Sequence, residues 1–156
     1  MTTFTLEEKK LIKFAKKKYP KILKKRRAKG LYDTYYACVL SDSGKIYEGV
    51  PFISKLELGH ICCERVAIAN MCVSETEKAR IKSILLLGPI GKDGNLTPCG
   101  LCRTIIHEFS DGKATVLCAG AYFECTQTNF DFLFKKIKKF KIKELHPSPW
   151  SDGTWD

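Results

Sequence analysis

The run IKSILLLG, residues 81–88, constrains the fold more than any other stretch of the chain. Successive side chains of a strand face opposite sides of a sheet, so a continuous apolar run needs apolar cover on both faces. It is far too short to cross a membrane. It predicts a buried central strand with helices packed on either side. A second run, ATVLCAG (114–120), reads the same way.

The neighbouring segments supply the cover. Leu6, Leu11, Ile12, Ala15 and Tyr19 have helical spacing, with Thr5 placed to cap and two glutamates in the first turn. Pro20 is expected to end or kink this helix, and a second helical piece, 21–29, is expected to stop at Gly30. YDTYYACVL (32–40) predicts a strand, SDSG (41–44) a turn and KIYEGV (45–50) its hairpin partner. Residues 51–60 read as irregular, 61–75 as a helix, 89–98 as a loop and 99–109 as a helix. AYFECTQ (121–127) is read as a last strand, 129–140 as a helix and the tail as irregular. The order is α–β–β–α–β–α–β–β–α, with no internal repeat and no linker. One domain over residues 1–156 is expected, carrying a lysine-rich helical segment at about 5–29.

The net charge of +10 sits in that segment. Residues 1–30 hold twelve Lys and Arg against two glutamates, and the rest of the chain is balanced at fifteen of each sign. The plain reading is a solvated helix face. Contact with nucleic acid or another polyanion competes with it, and a membrane surface ranks third. MTTFTLEEKKLIKF has no apolar signal segment, so a cytoplasmic protein is expected. In that setting eight cysteines point to free thiols and metal ligation, not a disulfide framework. Cys38 and Cys118 fall inside strand-like runs and read as core.

PCGLCR (98–103) places Cys99 and Cys102 at i and i+3 at the start of a helix, on one face. This is a good two-thiolate clamp for zinc, and the helix N-terminus favours thiolate. A reactive dithiol is the alternative. A closed structural site would need a second such pair, and none is evident. HICCERVAIA (60–69) offers Cys62, Cys63 and Glu64 at another helix start. One cysteine from there would give three protein ligands and leave a fourth position for water, the pattern of a catalytic site. Glu64 is the nearby acid that could shuttle the water's proton. Arg65 and Arg103 are candidate cations to offset three thiolates. His60 as a ligand would put Cys62 at the shuttle position, whereas Cys62 as a ligand puts Glu64 there. The three-cysteine form of the zinc-deaminase signature fits Cys62, Glu64 and the Pro-Cys-x-x-Cys motif, and His60 then reads as lining or surface.

These residues resemble the cytidine deaminase family, in its small, three-cysteine branch. CCERVAI (62–68) is similar to the family's Cys-Ala-Glu-Arg-Thr-Ala, and PCGLCR to its Pro-Cys-Gly-x-Cys-Arg. ELHPSPW (144–150) resembles the Leu-Leu-Pro-x-x-Phe ending, with Trp150 at the aromatic position. The likeness covers roughly residues 30–150. It implies a three-layer α/β/α fold with a mixed five-stranded sheet, one zinc per subunit on Cys62, Cys99 and Cys102, Glu64 as proton shuttle, and Arg65 bonded to the ligand thiolates. It also implies a homotetramer or homodimer, with Trp150 closing a pocket of its own or of a neighbouring subunit.

The departures bear on substrate. The family's ribose-holding Asn-x-Glu falls here on Pro51 and Ile53, which cannot make those hydrogen bonds, unless Glu57 serves instead. The aromatic before the first strand falls on Asp33, the glutamine after the second motif is Thr104, and the alanine between ligand and glutamate is Cys63, read as a small buried spacer lining the pocket. Losing a buried polar pair costs orders of magnitude in recognition. The expectation is therefore a deaminase of an amino-substituted heterocycle other than plain cytidine. The candidates are a modified cytidine, a free base, a guanine- or pterin-like ring, or a nucleoside antibiotic of the blasticidin S kind. A nucleic-acid substrate and a non-catalytic zinc-stabilised module are the competing readings.

Overall fold

The computed structural model describes residues 3–31, 35–55, 59–89, 96–122 and 133–147. Its elements are α1 (Leu6–Arg27), β1 (Tyr36–Ser41), β2 (Ile46–Gly49), α2 (Cys63–Glu75), β3 (Ile81–Pro89), α3 (Gly100–Glu108), β4 (Thr115–Tyr122), β5 (Leu133–Lys141) and α4 (Ile142–Leu145). The sheet order is β2-β1-β3-β4-β5. β3 and β4 run parallel, while β1 is antiparallel to both β2 and β3 and β5 is antiparallel to β4. The five-stranded mixed sheet between helices is the architecture expected from the sequence.

Alternation along the strands divides the core in two. Ala37, Val39, Ile84, Leu86, Val116 and Cys118 face one layer, where α2 supplies Cys63, Ala67, Ile68 and Met71 and α3 supplies Cys102 and Ile106. Tyr36, Cys38, Leu40, Leu85, Leu87, Leu117 and Ala119 face the other, where α1 supplies Leu11, Ala15, Tyr19 and Leu23. Both faces of the 81–88 run are thus covered, and Cys38 and Cys118 are core residues. On α2 the buried face runs through Cys63, Ala67 and Met71, and Val73 is solvent-exposed.

α1 departs from expectation. It runs without interruption through Pro20. Proline removes one helical hydrogen bond, a cost of about 3 kcal/mol. The row Leu11, Ala15, Tyr19, Leu23 is fully buried at i, i+4 spacing on both sides of the proline, and burial of Tyr19 and Leu23 offsets that cost. The N-terminus is a capping box: Thr5 Oγ1 accepts from Glu8 N at 3.1 Å, and Glu8 Oε2 accepts from Thr5 N at 2.9 Å. Beyond the helix, Gly30 takes φ +76°, a conformation suited to glycine.

The C-terminal third differs more. Residues 121 and 122 end β4 instead of opening a new strand, and the segment expected to be helical forms β5 over Leu133–Lys141. Ile137 joins the core on the α1 side and Phe140 the opposite one, as a strand requires of an odd and an even position. The same apolar residues also fit a helical period, and only pairing with β4 separates the two. Lysines at 138, 139 and 141 suit an edge strand, where charge discourages pairing with another chain.

Candidate metal centre

Two helix starts meet at one end of the sheet. Cys62 is the N-cap of α2 and Cys99 the N-cap of α3, with Cys102 in the first turn of α3. Two hydrogen bonds between Phe52 and Ile61, each 3.0 Å, pin the residue before Cys62. On the other side Arg103 fixes the approach to α3. Its Nε donates to the Pro98 carbonyl at 2.8 Å, and its Nη groups donate to Thr97 Oγ1 at 2.9 Å and to the Leu145 carbonyl at 3.2 Å. Arg103 thus holds the loop and α4; Arg65 is the cation at the thiols.

The sulfurs of Cys62, Cys99 and Cys102 lie within 4.8 Å of one another, and Cys62 and Cys99 are 3.9 Å apart. Two thiolates at about 2.3 Å from one tetrahedral zinc are about 3.8 Å apart, so the Cys62–Cys99 pair already has that spacing and three thiols suit such an ion. The described cysteines are all free thiols. Burial, then the Glu64 carboxylate, pushes the Cys62 thiol above its ordinary value. Cys102 is raised for the same two reasons. Cys99 is also opposed by burial, yet the Cys102 backbone N–H and the neighbouring thiols bring it below its ordinary value. Such thiols bind a cation as thiolates more readily than they stay charged alone.

The surroundings match that charge. Arg65 Nη2 donates to the His60 carbonyl at 3.3 Å, and its buried Nε has no partner among the described residues. Burial lowers the Arg65 pKa, but the neighbouring Cys62 and Cys102 sulfurs outweigh it and raise the value overall. A thiolate cluster is what this guanidinium is placed to meet. Glu64, on the first turn of α2, is only 4% exposed. It accepts a hydrogen bond from Cys63 Sγ at 3.2 Å through Oε2, leaving Oε1 uncommitted to that donor. Cys63 is buried and, by burial first and the Glu64 carboxylate second, is held well above the ordinary thiol range. It therefore stays a neutral donor.

Cys62, Cys99, Cys102, Glu64, Arg65 and Cys63 are thus brought together. His60 is exposed and bonded to the Ser54 carbonyl at 2.8 Å, away from the sulfurs. His107 and His146 pack on each other, with ring centroids 5.8 Å apart. Pro51 is half-buried, its carbonyl accepting from Arg26 Nη2 at 3.4 Å, while Phe52 and Ile53 are 57% and 46% exposed beside the strand bridge. Thr104 Oγ1 donates to the Gly100 carbonyl. Trp150, Trp155, Glu57 and Asp33 lie outside the described residues.

Two contributors escape a reading by motif. The Cys63–Glu64 hydrogen bond follows from the inward turn of α2, and its one trace in sequence is a cysteine where the family pattern has alanine. Gly49, the last residue of β2, lies directly under α2. A Cβ there would sit 2.4 Å from both Ala67 N and the Cys63 carbonyl oxygen. A glycine ending a strand is the available signal for such an approach.

No protein-family model matches the chain. A cytidine deaminase of Mycoplasma pneumoniae is 34% identical over 82 residues, which span 53% of the chain and 60% of that protein, so the match covers less than two thirds of the relative's length. The solved structure of cytidine deaminase from Burkholderia pseudomallei superposes with a TM-score of 0.61 at 17% identity, covering 74% of this chain and 80% of that one. Cytidine deaminase from Mycobacterium tuberculosis gives 0.54 at 15% identity, covering 75% and 78%. At those identities the structural likeness is one of fold. In fold, and in sequence over half its length, the chain resembles the cytidine deaminases.

Proposed function

We propose that the chain is a zinc-dependent hydrolytic deaminase that releases ammonia from an amino-substituted nucleoside or nucleobase-like ring. The observation that carries this reading is the convergence of Cys62, Cys99 and Cys102 beside a buried carboxylate, Glu64. Cys62, Cys99 and Cys102 would hold the metal, one ion per subunit. Zinc, when bound, supplies Lewis acidity that makes water a nucleophile at neutral pH. Glu64 acts as general base and acid. It takes a proton from the attacking water, delivers it to the ring nitrogen, and assists departure of the amine as ammonia. Cys63 holds one carboxylate oxygen of Glu64 so that the other faces the substrate. Arg65 offsets the thiolate charge.

Pro51 and Ile53 line the substrate pocket and offer no hydrogen bond to a ribose, which favours a substrate read through its ring. We take residues 1–156 as one domain, working as a cytoplasmic homo-oligomer. A purely structural metal site would have no use for a buried glutamate at this position, which sets the enzyme above a non-catalytic module.

The test is a screen of purified, zinc-loaded protein for ammonia release and ultraviolet change over cytidine, deoxycytidine, cytosine, guanine, guanosine, adenosine, pterins and blasticidin S. Turnover on a ring other than cytidine is expected. Rapid cytidine turnover would overturn the reading of Pro51 and Ile53, and no turnover on any of them would overturn the enzyme.

A further inference from the structure

Lys9, Lys13, Lys17, Lys21 and Lys25 occupy one i, i+4 row of α1. At 1.5 Å rise per residue they stand about 6 Å apart along the axis. The buried row Leu11, Ala15, Tyr19, Leu23 lies on the opposite side of the same helix, so the lysines point away from the sheet, and all five are exposed. Among the described residues none of the five makes a salt bridge. Lys10 and Lys24 flank the row and are also exposed. No acidic residue follows Glu8 within the helix.

Like charges at i, i+4 destabilise a helix, and a face that serves solubility alone commonly interleaves both signs. This row does the opposite along about four helical turns. A line of exposed cations is complementary to a line of phosphates. A lipid surface would also need apolar side chains next to the charge. The apolar row of α1 is committed to the core, and among its exposed residues only Leu6 is a large hydrophobe.

We propose that the outer face of α1 binds the sugar–phosphate backbone of nucleic acid, without reading sequence. No tyrosine or tryptophan stands in the lysine row to stack on bases, so the contact is electrostatic. α1 covers one face of the sheet, whereas α2 and α3, which carry the three cysteines, cover the other. The surface therefore holds the protein on nucleic acid and does not feed a strand to Glu64. It is independent of the proposed reaction.

The test is fluorescence anisotropy of the full-length protein with a labelled 20-base-pair duplex across a salt series. With five phosphate contacts, log K should fall against log salt with a slope of about −4.5, and Kd should be micromolar or weaker at about 150 mM salt. The variant K13Q/K17Q/K21Q, exposed at all three positions and with unchanged circular dichroism, should have a slope shallower by about 2.7. No binding at about 50 mM salt, or an unchanged slope in the variant, would overturn the proposal. So would binding to phosphatidylserine vesicles that exceeds binding to duplex at equal salt.

Discussion

In the proposed deaminase, Cys63 and Glu64 are the pair that would turn a metal site into a working one. The Cys63 thiol is the donor that fixes one oxygen of the carboxylate. Cys63→Ala removes that donor and should lower kcat with little change in KM, by about twofold to tenfold, the equivalent of a 0.5–1.4 kcal/mol hydrogen bond. Cys63→Ser restores a donor and should recover part of the loss; steady-state kinetics on the three proteins check this. A purely packing role would leave serine no better than alanine. The convergence of Cys62, Cys99 and Cys102 was legible in the sequence because Cys99 and Cys102 form a local motif and Cys62 precedes an acid at fixed spacing. The thiol–carboxylate bond was not, because it depends on which side of α2 faces the core. Arg65 beside the sulfurs agrees with what the family resemblance implies, whereas the tie that Arg103 makes between Pro98, Thr97 and Leu145 had no signal in the sequence.

The elements hold these side chains through a few close contacts. Gly49 lets β2 pass beneath the first turns of α2. Gly49→Ala should destabilise the protein by about 1–3 kcal/mol, because the atoms it meets are backbone and cannot swing aside. Urea unfolding would read the shift. At the far end of α2, Glu75 accepts from Tyr47, Ser43 and Ser41, which draws the β1–β2 hairpin onto the helix. The Tyr47 hydroxyl, followed by those of Ser43 and Ser41, holds the Glu75 carboxyl below its usual range. A depressed folded value gives stability that is present above the unfolded carboxyl value, about 4.3, and is lost as pH falls through the folded one. The Tm advantage of wild type over Glu75→Gln should therefore be full near neutrality and shrink as pH drops below about 4. An advantage that grew on acidification would contradict this. Helix starts were legible wherever a cap or a proline marked them, as at Thr5 and Pro98. The β5 segment reads as helical in sequence because Phe134, Ile137 and Phe140 satisfy a helical period as well as an edge strand's looser pattern. The sequence points to an end or kink at Pro20 because local propensity gives no weight to Tyr19 and Leu23 on the buried side, which carry α1 through it.

For the whole molecule, the central question is whether the three thiols bind an ion that both holds and activates. The site bridges the N-termini of α2 and α3, so metal binding is coupled to packing of that layer. Chelation should lower Tm, and zinc alone should restore it. At a hundredfold excess over Kd the ion contributes about 2.7 kcal/mol, or about 5–10 °C for a chain of this size. The layered architecture was readable from two apolar runs flanked by helical segments, since such strands have few other ways to be covered. The strand order, with β3 and β4 parallel at the centre, rests on long-range pairing that no local stretch records. The most direct measurement is ammonia release by wild type and Glu64→Gln at matched zinc content, on whichever ring the wild type turns over. The account predicts one zinc per chain in both proteins, similar Tm values and a rate about 10²–10⁴ lower in the variant. Equal rates at equal zinc content would contradict it.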